Sequence, residues 1–232
     1  MELEINPNMQ ISESFVGNEK LPILVIDNFL QNPELLVEHA CQQHFEYNSP
    51  FYPGPRAIAP KSFQLALLNT LQQQPLHRLF ELNGGKLSLT LCHYSLVTTP
   101  ANKLKLLQRI PHFDSPEHNA LAAVLYLFKQ DFGGTSFYRH NKTTFEYINA
   151  DRQLTYYQSL ESENGSDNIP QQGYINGDTP LFTRIGEQKG VFNRLIVYRR
   201  NALHSGSIPA DFNFSDEPLN GRLTISSFID CL

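Results

Sequence analysis

The 232-residue sequence has no tryptophan, two methionines, three cysteines and little charge, with Asp, Glu, Lys and Arg making up 18% of it. Cys41, Cys92 and Cys231 are scattered, odd in number and free of any CxxC pair, so neither a disulfide framework nor a cysteine-based zinc knuckle is indicated. A reducing, cytoplasmic setting is the expectation. There is no long basic run: Arg199-Arg200 and the group Lys103, Lys105 and Arg109 are local features in a chain of net charge −5. Proteins that bind nucleic acid usually carry a basic stripe, so no nucleic-acid partner is expected. No stretch approaches the roughly 20 apolar residues that cross a bilayer, so no membrane partner is expected either. Residues 1–20 carry Glu2, Glu4, Glu13 and Glu19 without an apolar core, unlike a signal peptide. No internal repeat is present.

What the sequence does have is apolar weight. Hydrophobic residues make up 41%, among them 16 Phe and 10 Tyr, enough to exclude disorder over most of the length. The length suits a single domain, residues 1–232, with a substantial interior. The run LPILVIDNFL, residues 21–30, reads as a strand. Asn32-Pro33-Glu34 then supplies a cap, a first-turn proline and an acidic residue, which predicts a helix through about Gln43. SPFYPGPRAIAP, residues 49–60, holds four prolines and reads as a loop. Phe63, Leu67 and Leu71 share a helical face from Ser62 onward, Pro75 restarts the helix, and Gly84-Gly85 ends it. Residues 21–86 are thus read as a strand with helical support.

From residue 87 the pattern changes. Leu87, Leu89 and Leu91 alternate with Ser88, Thr90, Cys92 and Tyr94, the period of a half-buried strand. Short candidate strands follow at 109–114, 120–128, 135–140, 192–199 and 222–229, with Gly133-Gly134 and Asn220-Gly221 as turns. Many short strands separated by turns predict a sandwich or barrel rather than a βαβ sheet. The core is placed at 87–229, interrupted by a polar, turn-rich insertion at about 149–190, in which ADRQLTYYQSL could form a short helix.

Three segments carry candidate chemistry. In RIPHFDS, His112 and Asp114 are two residues apart, which on a strand puts both on one face, about 6–7 Å apart. In VYRRNALHSGS, His204 follows an apolar strand and precedes a tight turn. In GRLTISSFID, Arg222, Thr224 and Ser226 share one face of the last strand. Two histidines and an aspartate are the donors of a facial triad, which leaves three sites on an octahedral ion open to other ligands. An arginine offers an always-charged, bidentate fork to a carboxylate.

The ordered set His112-Phe113-Asp114, Gly133-Gly134-Thr135, His204 and Arg222-Leu223-Thr224 resembles the Fe(II)/2-oxoglutarate-dependent oxygenase superfamily, nearest to its prolyl-4-hydroxylase-like branch. The resemblance covers about 87–229 and, more loosely, IDNFLQNPELL. It implies a mainly β protein: a double-stranded β-helix, or jelly roll, with N-terminal helices packed outside. It implies an oxidoreductase, a hydroxylase-type dioxygenase that couples oxidative decarboxylation of 2-oxoglutarate to oxidation of a small-molecule or peptide side-chain substrate. Position by position, it implies that His112, Asp114 and His204 bind Fe(II) as the catalytic centre. Arg222 and Thr224 would hold the distal carboxylate of 2-oxoglutarate, Tyr94 would hydrogen-bond the co-substrate, and dioxygen would be consumed. Asp114 disfavours a halogenase variant. Two departures touch the co-substrate pocket: Thr135 follows the two glycines where many relatives carry an acid, and 18 positions separate His204 from Arg222, more than is usual.

Other readings compete. His112 and Asp114 could be a polar pair in a proline-flanked turn, or could join His118 in a local zinc site. Arg109 and Arg194 are rivals for the co-substrate anion. His93 reads as a core or rim histidine on the face of Leu87, Leu89 and Leu91, while His140 could line the pocket or lie at the surface. The Tyr156-Tyr157 pair is the one candidate for a substrate-facing element within the insertion. A jelly-roll interaction module without catalysis, and a metalloenzyme that needs no keto acid, are the alternative functions.

Overall fold

The computed structural model describes residues 2–74, 76–83, 85–163 and 168–232. Strands β1 (Gln10–Val16) and β2 (Leu21–Asp27) form a hairpin that pairs Gln10 with Asp27 and Val16 with Leu21. Only β2 was legible in the sequence, because its side chains are mostly buried while β1 is almost entirely exposed and lacks apolar alternation. Helix α1 (Glu34–Ala40) follows Pro33, whose fixed φ suits a helix start, and ends three residues before the expected Gln43. Strand β3 (Arg56–Ile58) lies inside the proline-rich segment that reads as a loop. Helix α2 (Lys61–Gln73) buries Phe63, Leu67 and Leu71, and a short α3 (Leu76–Leu79) follows. The expected restart at Pro75 and the first glycine of the Gly84-Gly85 stop lie outside the described residues.

The rest is strand-rich: β4 (Leu87–Leu96), β5 (Ala120–Tyr126), β6 (Thr135–His140), helix α4 (Ala150–Glu163), β7 (Phe182–Gln188), β8 (Leu195–Arg199), β9 (His204–Gly206) and β10 (Leu223–Cys231). They build a seven-stranded sheet ordered β1-β2-β8-β5-β10-β4-β3 and a three-stranded sheet ordered β7-β6-β9. All neighbours are antiparallel. His112 bridges to His204 beside β9 and so extends the small sheet by one rung. This is a mainly β jelly roll, a double-stranded β-helix with the N-terminal helices outside. Residues 109–114 make that single bridge rather than a full strand, since Pro111 cannot donate to a ladder. The stretch 149–190 is not irregular throughout: α4 covers its first part and β7 pairs with β6 along six residues. FTRIGEQ was missed because its side chains are mostly half-exposed and polar.

Two faces of the large sheet do different work. On the outer face Leu223, Ile225 and Ile229 of β10 join Leu121 and Leu125 of β5 and pack against Phe63, Leu67 and Leu71 of α2 in the largest apolar cluster. On β4 that face holds Leu87 before Thr90, and Cys92, Tyr94 and Leu96 after it. The strand keeps its buried side because a bulge leaves Thr90 unpaired, with Leu91 opposite Phe228 and Leu89 opposite Ile229. A strict period of two therefore misplaces the second half of β4. Tyr94 and Leu87 share a face, and His93 lies opposite them. Among the described residues, no helix is long and apolar enough to cross a membrane.

Candidate metal centre and its cavity

The two histidines and the aspartate converge because of backbone pairing. His112 N–H donates to the His204 carbonyl and His204 N–H to the His112 carbonyl, each at 2.9 Å. Residues directly opposite on antiparallel chains send their side chains to the same side, and the two imidazoles lie with centroids 4.4 Å apart. Asp114, two residues on, is fixed by its N–H donating to the Arg200 carbonyl at 2.7 Å. Its carboxylate lies 3.7 Å from His112 Nε2 through one oxygen and 3.5 Å from His204 Nε2 through the other. One ligand atom from each of the three falls within 4.8 Å of the others.

The protonation pattern suits ligation. His204 Nδ1 lies 2.9 Å from the Ala202 carbonyl. A carbonyl only accepts, so Nδ1 donates to it, and Nε2 is the ring atom left on the side of Asp114. The His112 side chain is about half exposed, in the mouth of a cavity, with protein packed densely around it. Loss of hydration, then the neighbouring His204, push its pKa down to about 4, against the opposing pull of Asp114. It is therefore neutral at pH 7, as a metal ligand must be.

Beside this cluster opens a cavity of about 550 Å³, whose walls include His112, Asp114, Arg56 and Arg222. Arg222 heads the inner face of β10. Its Nε donates to the Phe132 carbonyl at 2.9 Å and its Nη2 to the Gly134 carbonyl at 2.7 Å, and among the described residues nothing accepts from Nη1. The two glycines explain this seat. A Cβ on Gly133 would collide with the Ser207 carbonyl, and one on Gly134 with the Gln188 carbonyl, so the chain comes close enough to grip the guanidinium only without side chains. Thr224 shares the inner face but is buried, and its hydroxyl donates to the Ser95 carbonyl at 3.4 Å.

Other expectations are corrected. Tyr94 does not face the cavity: it is wholly buried on the outer face and its hydroxyl meets His39 Nδ1 at 3.3 Å, because the Thr90 bulge turned it outward. His118 is apart from the cluster, its Nε2 against the Glu81 carbonyl at 2.9 Å. Arg109 is spent on the Leu104 carbonyl and Arg194 on Asp27. His140 is fully buried, bonded to Thr143 and Glu163. Tyr156 and Tyr157 of α4 do line the cavity, together with Phe113. Sequence reasoning missed Tyr52 and Arg56, which also line it. The available signal was RAIA between prolines, a short edge-strand pattern.

The model of the family described as "Family of unknown function (DUF6445)" matches residues 7–229, and the chain belongs to that family. No curated protein matches it. Among solved structures, HygX from Streptomyces hygroscopicus with nickel, 2-oxoglutarate and hygromycin B bound is similar at 11% identity. The match covers 91% of this chain and 84% of that one at a TM-score of 0.46. SnoN, a non-heme alpha ketoglutarate dependent epimerase from nogalamycin biosynthesis, aligns at 10% identity and TM-score 0.45, over 89% and 76% of the two chains. An N-substituted L-amino acid dioxygenase from Burkholderia ambifaria AMMD aligns at 11% identity and TM-score 0.35, over 89% and 80%. Likeness this loose carries nothing about the chemistry of this chain.

Proposed function

We propose that this member of DUF6445 is a non-haem Fe(II)/2-oxoglutarate-dependent oxygenase of hydroxylase type, on the prolyl-4-hydroxylase-like pattern. The observation that carries the reading is the convergence of His112, Asp114 and His204 beside a cavity whose wall also holds Arg222. Two neutral imidazoles and one carboxylate are the donor set that suits Fe(II) with open positions, and the His204 Nδ1–H bond to a carbonyl is the outer support such ligands need.

Bound iron with 2-oxoglutarate and dioxygen would supply the oxidising chemistry, coupled to decarboxylation of the keto acid. The residues of the chain do the rest. His112, Asp114 and His204 would hold the ion. Arg222, pinned through Nε and Nη2, presents Nη1 to the distal carboxylate of the keto acid. Thr224 backs that subsite rather than donating into it, because its proton is engaged by Ser95. Tyr156 and Tyr157 on α4, which line the cavity, face the substrate.

The test is anaerobic titration of purified protein with Fe(II) and 2-oxoglutarate, singly and together, followed by visible absorption. A band that needs both additions and is lost in His204→Ala supports the reading. Arg222→Ala keeps its iron affinity and loses about 2–5 kcal/mol of keto-acid binding. No band and no keto-acid binding in folded protein would instead favour an interaction module.

A further inference from the structure

Arg56 has a property that none of the other nine arginines shares. Arg78, Arg139, Arg152, Arg184, Arg194 and Arg200 each meet a carboxylate, and Arg109, Arg199 and Arg222 donate to backbone carbonyls. Among the described residues the Arg56 guanidinium has no hydrogen bond and no ion pair, and its Nε is buried without a partner. It lies over the face of Tyr52, 4.2 Å from the ring centroid, and within electrostatic reach of Asp114 without pairing with it. Leaving a guanidinium partly desolvated and unpaired is costly, and such groups are normally paired. The fold holds it there. Cross-strand partners share a face, so pairing of Arg56 with Ser95 on β4 sends it to the inner side, while Ala57 enters the outer core. There Arg56 lines the same cavity as His112 and Asp114.

Two further buried side-chain atoms lack a hydrogen-bond partner nearby: Tyr52 Oη, in the wall of the same cavity, and His93 Nδ1, on the strand beside it, where His93 lies opposite Ile58 two residues from Arg56. Charge counting then separates the two arginines. A divalent ion and a dianionic keto acid, set against Asp114 and both guanidiniums, leave one positive charge. Arg222 is the arginine seated by the glycine pair, and Arg56 is the surplus. The same cavity is lined by Phe113, Tyr156 and Tyr157, with Phe113 6.2 and 6.0 Å from the two tyrosine rings.

We infer that Arg56 is a substrate-anchoring residue, and that the substrate is a small monocarboxylic acid whose carboxylate pairs with the Arg56 fork while its apolar or aromatic body rests on Tyr52, Phe113 and Tyr156. The fork matches a carboxylate in two parallel hydrogen bonds, one guanidinium balances one negative charge, and about 550 Å³ suits a small molecule. The inference rests on the oxygenase reading for the identity of the other anion in the cavity.

The test uses protein loaded with Mn(II) and 2-oxoglutarate, with ligand-observed NMR of N-acetyl-L-phenylalanine and 3-phenylpropionate beside their neutral amides. The acids bind at least tenfold more tightly than the amides, and Arg56→Met weakens the acids at least tenfold while 2-oxoglutarate affinity stays as in the parent. The unchanged keto-acid affinity also shows that the variant is folded, and Arg56→Lys, which keeps the charge without the fork, carries the same comparison if the methionine variant unfolds. Equal binding of acids and amides by the parent overturns the inference. So does loss of 2-oxoglutarate affinity in Arg56→Met to the extent seen in Arg222→Met, which would put Arg56 in the co-substrate site. If neither Mn(II) nor 2-oxoglutarate binds but the acids still depend on Arg56, the oxygenase reading falls and the anion site stands.

Discussion

Strand β10 shows two economies side by side. Its outer residues Leu223, Ile225 and Ile229 are fully buried against aliphatic neighbours, and the polar groups on that side, such as the Tyr94 hydroxyl with His39, are mutually satisfied. Its inner residues Arg222, Thr224, Ser226 and Phe228 share their face of the sheet with Arg56 and His93, whose Nε and Nδ1 lack partners. A core built only for stability does not leave polar groups unpaired, since each costs about 1–3 kcal/mol. The outer face maintains the fold, and the inner face leaves polar groups without protein partners.

That contrast can be broken by substitution. The largest effect is expected at Asp114, the one carboxylate among the described residues lining the cavity. Asp114→Ala should weaken Mn(II) binding by about 100-fold or more in calorimetry, with little change in melting temperature. Ile225→Ala on the outer face should do the reverse, costing about 2–5 kcal/mol in denaturant unfolding while the folded protein still binds metal. Equal losses of stability from both would erase the division between the faces. Gly133→Ala should cost about 1–3 kcal/mol, since its φ of +70° and the nearby Ser207 carbonyl both resist a side chain, and should weaken 2-oxoglutarate binding by releasing Arg222. Smallest is a difference among thiols. Burial raises Cys92 to about 11, so at pH 8 it is almost wholly protonated, whereas Cys41 is exposed. Iodoacetamide should label Cys41 in native protein and reach Cys92 only after unfolding, and mass spectrometry of the labelled peptides checks it.

How far the sequence was legible varied with how local the cause was. Strand β6 and helix α4 were visible because turn glycines bound the first and helix formers fill the second. β7 and β1 were not, because their stability comes from pairing with β6 and β2 rather than from an apolar pattern of their own. Tyr94 was misplaced by the one-residue bulge at Thr90, which is set by the register against β10 and leaves no mark in the strand's composition. Arg109 and Arg194 looked like rivals to Arg222 until the Leu104 carbonyl and Asp27 were seen to occupy them.

The sequence by itself determined the donors: the types and order of His112, Asp114, His204 and Arg222, and the i, i+2 spacing that puts His112 and Asp114 on one side of an extended chain. Tertiary structure alone decided their convergence, because the His112–His204 bridge joins segments 92 residues apart and no local propensity fixes such a register. It also decided which arginine remains unpaired. Whether a guanidinium has a partner depends on what the fold brings to it, and around Arg56 the fold brings an aromatic ring and an open cavity.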